Sequence, residues 1–215
     1  MAGSAGKKEI KREDGTVRKR SLCAQMMIAF FLLTACGGGV GVSKAEELAL
    51  TIRTEYLAMT SCAAKLAVTA DYGERVYDYG LDMGWSKETG FTLVVTAPED
   101  IAGVTIKIEA GQTALEYDGA RIETGAITPG GLSPIDALPT FLDYAREGFI
   151  AECTEEDLGE TQTLRVRYRE PDSSPGTGLE ADLWFDPVSH ALLQGELSSD
   201  GLTVVRCVFS GFQAA

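Results

Sequence analysis

The side chains that most often carry out catalysis or bind metals are scarce in this sequence. His190 is the only histidine among 215 residues. A metal site with two imidazole ligands is therefore excluded, and a Ser-His-Asp triad would have to use this one ring. His190 follows Asp186-Pro187, a turn sequence, and we expect it to lie in a solvated loop without a catalytic role.

Two further clusters come close to binding motifs without matching them. The acidic run Glu152, Glu155, Glu156 and Asp157 offers carboxylates to calcium, but its spacing is not that of an EF-hand loop. We interpret it as a solvated turn. The glycines within residues 37–41 do not follow a strand and are not closed by Lys-Ser or Lys-Thr, as a phosphate-binding loop is. The sequence thus predicts a protein that is not an enzyme and holds no metal or cofactor.

Cys36 is the residue best placed for covalent modification. Basic residues between Lys7 and Arg20 precede an apolar run from Leu22 to Leu33, and the small pair Thr34-Ala35 comes directly before Cys36. This order is typical of a secretory signal peptide. The segment 33–37 resembles the lipobox of bacterial lipoproteins, in which the cysteine thiol receives a diacylglycerol. We therefore expect residues 1–35 to be a signal peptide and residues 36–42 to be the lipidated Cys36 with a flexible tether.

The alternative for the N-terminal region is an uncleaved membrane anchor. Residues 22–42 carry no charge and match the ~20 residues that cross a bilayer. The three glycines at 37–39 disfavour a helix there. In either case the remaining domain is expected outside the cell, attached to the cell membrane.

The charge of the chain limits its partners. The formal net charge is −13, and residues 36–215 contain 12 Lys or Arg against 29 Asp or Glu. Such a domain is repelled by phosphates and by anionic headgroups, so nucleic acid is excluded as a partner. Basic proteins, cations and neutral ligands remain.

Hydrophobic periodicity predicts two helices and many strands in residues 43–215. Ser43 with Glu46 forms a capping box at the start of a helix that continues to Met59. Ser133-Pro134 starts a second helical segment, which we expect to be interrupted at Pro139. Short alternating runs separated by turn signals fill residues 62–123 and 149–209 and predict antiparallel strands. The expected fold is one α+β domain with a large curved antiparallel sheet around the N-terminal helix and the mid-chain helical insertion.

This order of elements, together with two late motifs, resembles the LolA/LolB-like lipoprotein family. The motifs are residues 183–187, Leu-Trp-Phe-Asp-Pro, and residues 192–195, Leu-Leu-Gln-Gly. The resemblance implies an unclosed half-barrel whose concave apolar face accepts acyl chains or another partner. An anchored member is similar to LolB or to the spore-germination lipoproteins of this class. Two functions follow as expectations: binding of a lipid or lipoprotein acyl chain, or a tethered protein-interaction module that positions or activates a cell-envelope enzyme.

Nine apolar residues are the candidates for lining this face, and each of them is equally explained as core. We call them the candidate groove residues, and we expect the segment from Ser133 to Glu147 to cover them as a displaceable lid. They are Leu66, Val68, Phe91, Leu93, Val95, Ile106, Ile108, Leu138 and Phe141.

Three cysteines lie in the expected domain: Cys62, Cys153 and Cys207. Export permits a disulfide, and Cys62 on the first strand and Cys207 on the last are a candidate pair. Buried reduced thiols are the alternative.

Overall fold

A computed structural model describes residues 43–126 and 131–215, together with Gly3. The expected signal peptide, the lipidated Cys36 and its tether lie outside the described residues. Residues 43–215 form one compact unit.

Two α-helices lie within this unit. Helix α1 spans Lys44–Ala58 and buries Ala49, Ile52 and Tyr56. Its capping box is present: the Ser43 hydroxyl accepts from the Glu46 N–H at 3.2 Å, and the Glu46 carboxylate accepts from the Ser43 N–H at 2.7 Å. These two bonds satisfy amide donors that the first helical turn leaves unpaired.

Helix α2 spans Pro134–Glu147 without interruption, with Ser133 as its N-cap. The expected break at Pro139 is therefore wrong. Pro139 removes one backbone hydrogen bond, a local cost. The helix buries Ala137 and Leu138 before the proline, and Phe141, Leu142 and Ala145 after it. This burial of one apolar face offsets the lost bond.

Eleven strands and one 3-10 helix make up the rest of the described chain. In chain order the strands are β1 Ser61–Asp71, β2 Val76–Ser86, β3 Gly90–Ala97, β4 Thr105–Glu109, β5 Gln112–Tyr117, β6 Ala120–Ala126, β7 Ile150–Leu158, β8 Thr161–Arg169, β9 Leu179–Phe185, β10 Leu192–Ser199 and β11 Leu202–Ala214, with the 3-10 helix at Glu99–Ile101 between β3 and β4. The acidic run predicted as a turn lies within β7, which corrects that interpretation.

All strands belong to one antiparallel sheet, in the order β6-β5-β4-β3-β2-β1-β11-β10-β9-β8-β7. Two meanders, β1 to β6 and β7 to β11, are joined in space by the pairing of β1 with β11. Strands β6 and β7 stand at opposite ends of this order, so the sheet is open, as the half-barrel prediction requires.

The two helices pack on one face of the sheet, which we call the inner face. Helix α1 contacts β7 and β8, while α2 contacts β9, β1 and α1. Strand β1 alternates accordingly, with Leu66 and Val68 buried and Lys65 and Ala67 exposed on the outer face. Within residues 43–126 and 131–215, no helix has the length and apolarity needed to cross a membrane.

Candidate functional site

The nine candidate groove residues lie on four elements and belong to one core cluster. Strand β1 contributes two of them, β3 three, β4 two and α2 two. Phe91 is the most exposed, at 7%, whereas Leu93 and Phe141 are 0% exposed. The structure therefore brings the predicted residues together, and it packs them as a closed apolar interior.

An apolar row crosses the inner face at right angles to the strands. Leu93 on β3 is opposite Ile106 on β4, Ile106 is opposite Leu115 on β5, and Leu115 is opposite Ile122 on β6. Exposure rises along this row from 0% at Leu93 and 5% at Ile106 to 62% at Ile122, with Leu115 half-buried. Directly opposite residues have Cβ atoms roughly 5 Å apart. The row is a continuous apolar path from solvent to the core, and its outer half, Leu115 and Ile122, lies outside the predicted groove.

The C-terminal end of α2 is held by arginine side chains. Arg146 donates from Nε to the Tyr56 carbonyl oxygen at 3.1 Å. Its guanidinium lies 4.1 Å from the centre of the Trp85 ring, a cation-π contact. Arg53 of α1 donates to the carbonyl oxygen of Gly148, just after the helix. These contacts fix the end of α2 to α1 and to β2.

The N-terminal end of α2 is held by a hydrogen bond from one tyrosine and by the packing of Leu132 and Ile135 on the core. The Tyr72 hydroxyl donates to the Leu132 carbonyl oxygen at 3.0 Å, one residue before the N-cap. Tyr72 also packs on Tyr77, whose ring stacks near that of Tyr79, with centroid separations of 6.2 and 6.4 Å. Tyr72 is 48% exposed. A sequence signal for this cluster existed, because Tyr77 and Tyr79 share one strand face.

Two openings in the described part of the surface lie away from the candidate groove residues. A cavity of about 500 Å³ lies along β11, β1, β2 and β3, where Ala63, Gly84 and Gln213 line it. A second, of about 370 Å³, shares Ala63 and Gln213 with the first. Neither of these two cavities is lined by a candidate groove residue. The first cavity also touches Cys62, which belongs to the core, and Trp85, which packs against the core.

His190 is not a free loop histidine, and that prediction is corrected. Its Nδ1 lies 2.7 Å from Glu55 Oε2, and its side chain is 19% exposed. Its backbone oxygen accepts from the Tyr56 hydroxyl at 3.1 Å. In the turn before it, the Asp186 carboxylate accepts the N–H groups of Ser189 and Val188, which lowers the pKa of Asp186. His190 thus connects the β9–β10 turn to α1.

Carboxylates of β7 and β9 face arginines of β8 on the outer face of the sheet. Arg165 donates to Glu156 at 3.1 Å, and the Trp184 indole N–H donates to the same carboxylate at 2.7 Å. Arg167 binds both oxygens of Asp182, at 2.9 and 2.8 Å. In the described part of the chain, no group of three or more His, Cys, Asp or Glu side chains could hold a metal ion.

The three cysteines are free thiols. Cys62 is opposite Ala214, whereas Cys207 is opposite Val68. Six residues of extended strand separate these two positions, roughly 20 Å, which is far beyond disulfide reach. Burial raises the pKa of Cys62 and of Cys153 to about 11, and it raises the pKa of Cys207 as well. The candidate pair is therefore wrong, and the reduced alternative holds.

No protein-family model and no curated protein matches this sequence. Solved structures similar to it include a putative outer membrane lipoprotein-sorting protein domain from Vibrio parahaemolyticus, at 10% identity and a TM-score of 0.45, covering 81% of this chain and 93% of that one. A LolA superfamily protein from Nitrosomonas europaea has 10% identity and a TM-score of 0.40, with coverage of 80% and 94%. The lipoprotein LppX from Mycobacterium tuberculosis has 16% identity and a TM-score of 0.46, with coverage of 79% and 96%. At identities of 10–16%, this likeness concerns the structure alone.

Proposed function

We propose that residues 43–215 form a non-catalytic binding domain that takes up an acyl chain on the inner face of the sheet. The observation that carries this proposal is the apolar row from Ile122 to Leu93, which leads from solvent into the core. A bound chain would lie along this row and continue beneath α2, toward Leu66 and Val68. Each methylene that leaves water contributes about 0.8 kcal/mol.

Uptake requires α2 to move, because the candidate groove residues are packed closed. The two ends of the helix differ in how they are held. Arg146 and Arg53 make several contacts at the C-terminal end, while the Tyr72 hydroxyl makes one hydrogen bond near the N-terminal end. We infer that the lid opens from its N-terminal end and pivots near Gly148. Opening this end breaks one neutral hydrogen bond, with a net contribution of about 1 kcal/mol, and separates Leu132 and Ile135 from the core on which they pack.

The binding test compares two exposed aliphatic residues on opposite faces of the sheet. Full-length protein is purified in mild detergent and titrated with a fluorescent fatty acid, and bound lipid is identified by native mass spectrometry. Ile122→Asp places a charge at the open end of the row, and we expect it to weaken binding roughly tenfold or more. Val208→Asp is the matched control, since Val208 is 44% exposed on the outer face. Equal affinity of both variants and of the parent protein would refute the proposal.

Aspartate at Leu138 or Phe141 is not a usable test of the lid. These side chains are 1% and 0% exposed. A carboxylate buried without a partner costs several kcal/mol. We expect such variants to unfold, so any loss of binding would carry no information about the groove.

The second candidate function is a tethered protein-interaction module. The closed packing of the candidate groove residues favours it, because such a domain needs no cavity and would bind a cell-envelope protein by its surface. The two candidates give different results in the same experiment. An acyl-binding domain retains or acquires lipid in native mass spectra, whereas an interaction module stays lipid-free at every fatty-acid concentration.

We further propose that Cys36 anchors the protein to the membrane on its extracytoplasmic side. The support is the order of basic, apolar and small residues before Cys36. The test is Cys36→Ser followed by membrane fractionation and detection of the attached lipid. We expect unprocessed or released protein without lipid. A variant that is still cut and still lipidated overturns the assignment, and an unprocessed membrane-bound parent protein would instead support the uncleaved anchor.

A further inference from the structure

The open sheet has two edge strands, and they differ in charge. On β6, all residues from Ala120 to Gly125 are exposed. Arg121 and Glu123 flank Ile122, and both charged side chains lie on the outer face, where they contact each other at 3.0 Å. On β7, residues 150–158 contain four acidic residues and no basic one. An exposed strand edge offers unpaired backbone groups to another strand unless charge or a covering segment prevents it.

We propose that β6 pairs antiparallel with β6 of a second copy of this chain, with Ile122 opposite its own counterpart. A two-fold axis midway between the two Ile122 residues places Arg121 of each copy opposite Glu123 of the other. The edge is thus self-complementary: two opposite-charge pairs form on the outer face and one Ile–Ile pair on the inner face. In a one-residue slip the charged side chains of one copy lose their cross-strand partners.

Strand β7 explains why the second copy pairs at β6. Two β7 edges brought together would place up to eight carboxylates along one junction with no basic residue on either strand. Like charges directly opposite each other are destabilising in a sheet. Pairing β6 with β7 of another copy would bring Arg121 near carboxylates, but it would also bring Glu123 against them. The two-fold β6 pairing is the arrangement in which every charged side chain of β6 has an opposite partner.

The pairing adds a short strand interface, so it is weak in dilute solution and favoured where the protein is concentrated on a membrane. It does not depend on acyl-chain binding. It does make the apolar rows of the two copies continuous through Ile122.

Disulfide trapping in the full chain, in membranes and with copper-phenanthroline as oxidant, tests the register. Ile122→Cys is expected to give a covalent homodimer. Ala120→Cys is expected to give about tenfold less, because two copies of residue 120 are about 13 Å apart in this register. The parent chain, with its own cysteines, is the control.

Charge exchange gives a second, independent measurement of the same pairing. With Ile122→Cys as the reporter, adding Arg121→Glu or Glu123→Arg makes each edge carry one sign of charge and is expected to reduce trapping about tenfold. Mixing the two variants is expected to restore it as a heterodimer. Lys65→Glu, at an exposed position on the outer face of β1, is the matched control and should change nothing.

The outcomes separate the alternatives. The proposal is overturned if Ile122→Cys forms no dimer, or if Ala120→Cys is trapped as efficiently as Ile122→Cys. It is also overturned if mixing the two charge variants does not restore the dimer. A cross-linked species of another mass means that a different protein occupies the edge, which overturns it too. Arg121→Glu leaves the apolar row intact. If this variant loses the dimer and still binds fatty acid as the parent protein does, dimer formation and acyl binding are separate properties, and either proposal can fail without the other.

Discussion

The ring of Phe141 on α2 lies directly over Gly195 on β10. A Cβ atom at Gly195 would be 3.0 Å from three carbons of that ring. Gly195 is opposite Leu183 and Cys207 on its two neighbouring strands, in the middle of the inner face. The absence of a side chain at this position therefore sets how closely α2 approaches the sheet.

Gly195→Ala is predicted to push α2 away from the sheet and to destabilise the domain by about 1–3 kcal/mol, the usual cost of overpacking a core. Denaturant unfolding measures this change. Gly84→Ala is the control, because a Cβ at Gly84 on β2 meets nothing within 4 Å. If both substitutions have the same effect, the approach of Phe141 does not depend on Gly195.

Tyr72→Phe removes the hydroxyl that donates to the Leu132 carbonyl oxygen. The expected loss of stability is about 0.5–1.5 kcal/mol, and it should appear locally as faster amide hydrogen exchange in the first turns of α2. Tyr77→Phe is the control, since the Tyr77 hydroxyl makes no hydrogen bond to a described residue. Uniform acceleration throughout α2, or none, would contradict an opening that begins at the N-terminal end.

The cysteine thiols are predicted to react slowly in the folded protein. Burial raises the pKa of Cys62 and Cys153 from 9.0 to about 11. At pH 8 this lowers the reactive thiolate fraction roughly 100-fold relative to an unperturbed thiol. Alkylation followed by mass spectrometry should show slow labelling that becomes fast in denaturant.

The same shifts predict a stability change in alkali. The folded state holds the thiol protons more tightly than the unfolded state, so the unfolded state loses them first as the pH rises. The contribution of the neutral thiols is fully present below the ordinary thiol pKa and is lost as the pH approaches 11. Cys153→Ser should reduce this loss, and an unchanged pH profile of the urea midpoint in that variant would show that Cys153 contributes nothing to it.

Asp182→Asn is predicted to cost about 1–3 kcal/mol, because it weakens the charge-assisted bonds from Arg165 and Arg167. The Asp182 side chain is 13% exposed. Glu123→Gln is the contrast: its carboxylate also binds an arginine but is 67% exposed, and such surface pairs contribute at most about 1 kcal/mol. Thermal unfolding measures the loss of stability in both variants. Equal decreases in Tm would show that burial does not strengthen the ion pairs of the outer face.

Local signals in the sequence predicted most of the elements correctly. The Ser43 and Glu46 capping box and the alternation in β1 are short-range patterns, so one segment contains all the information that they need. Pro139 and the acidic run of β7 were misjudged for the opposite reason. The packing of Phe141 against the sheet and the arginines of β8 outweigh the local preference at each site, and neither partner is a sequence neighbour.

The sequence by itself determined the order of elements and the apolar inner face, since each of these is encoded in consecutive residues, and on the same basis it predicts a signal peptide over residues 1–35. Only the tertiary structure decided which distant residues meet. It separated Cys62 from Cys207, paired His190 with Glu55, placed Tyr72 against Leu132 and aligned Leu93 with Ile122. Strand register fixes the first and the last of these, and register depends on bulges and turns summed over several strands. The packing of the two helices on the sheet fixes the other two. The resulting cross-strand row, from a buried leucine to an exposed isoleucine, is therefore a property of the folded sheet that no single segment of the chain contains.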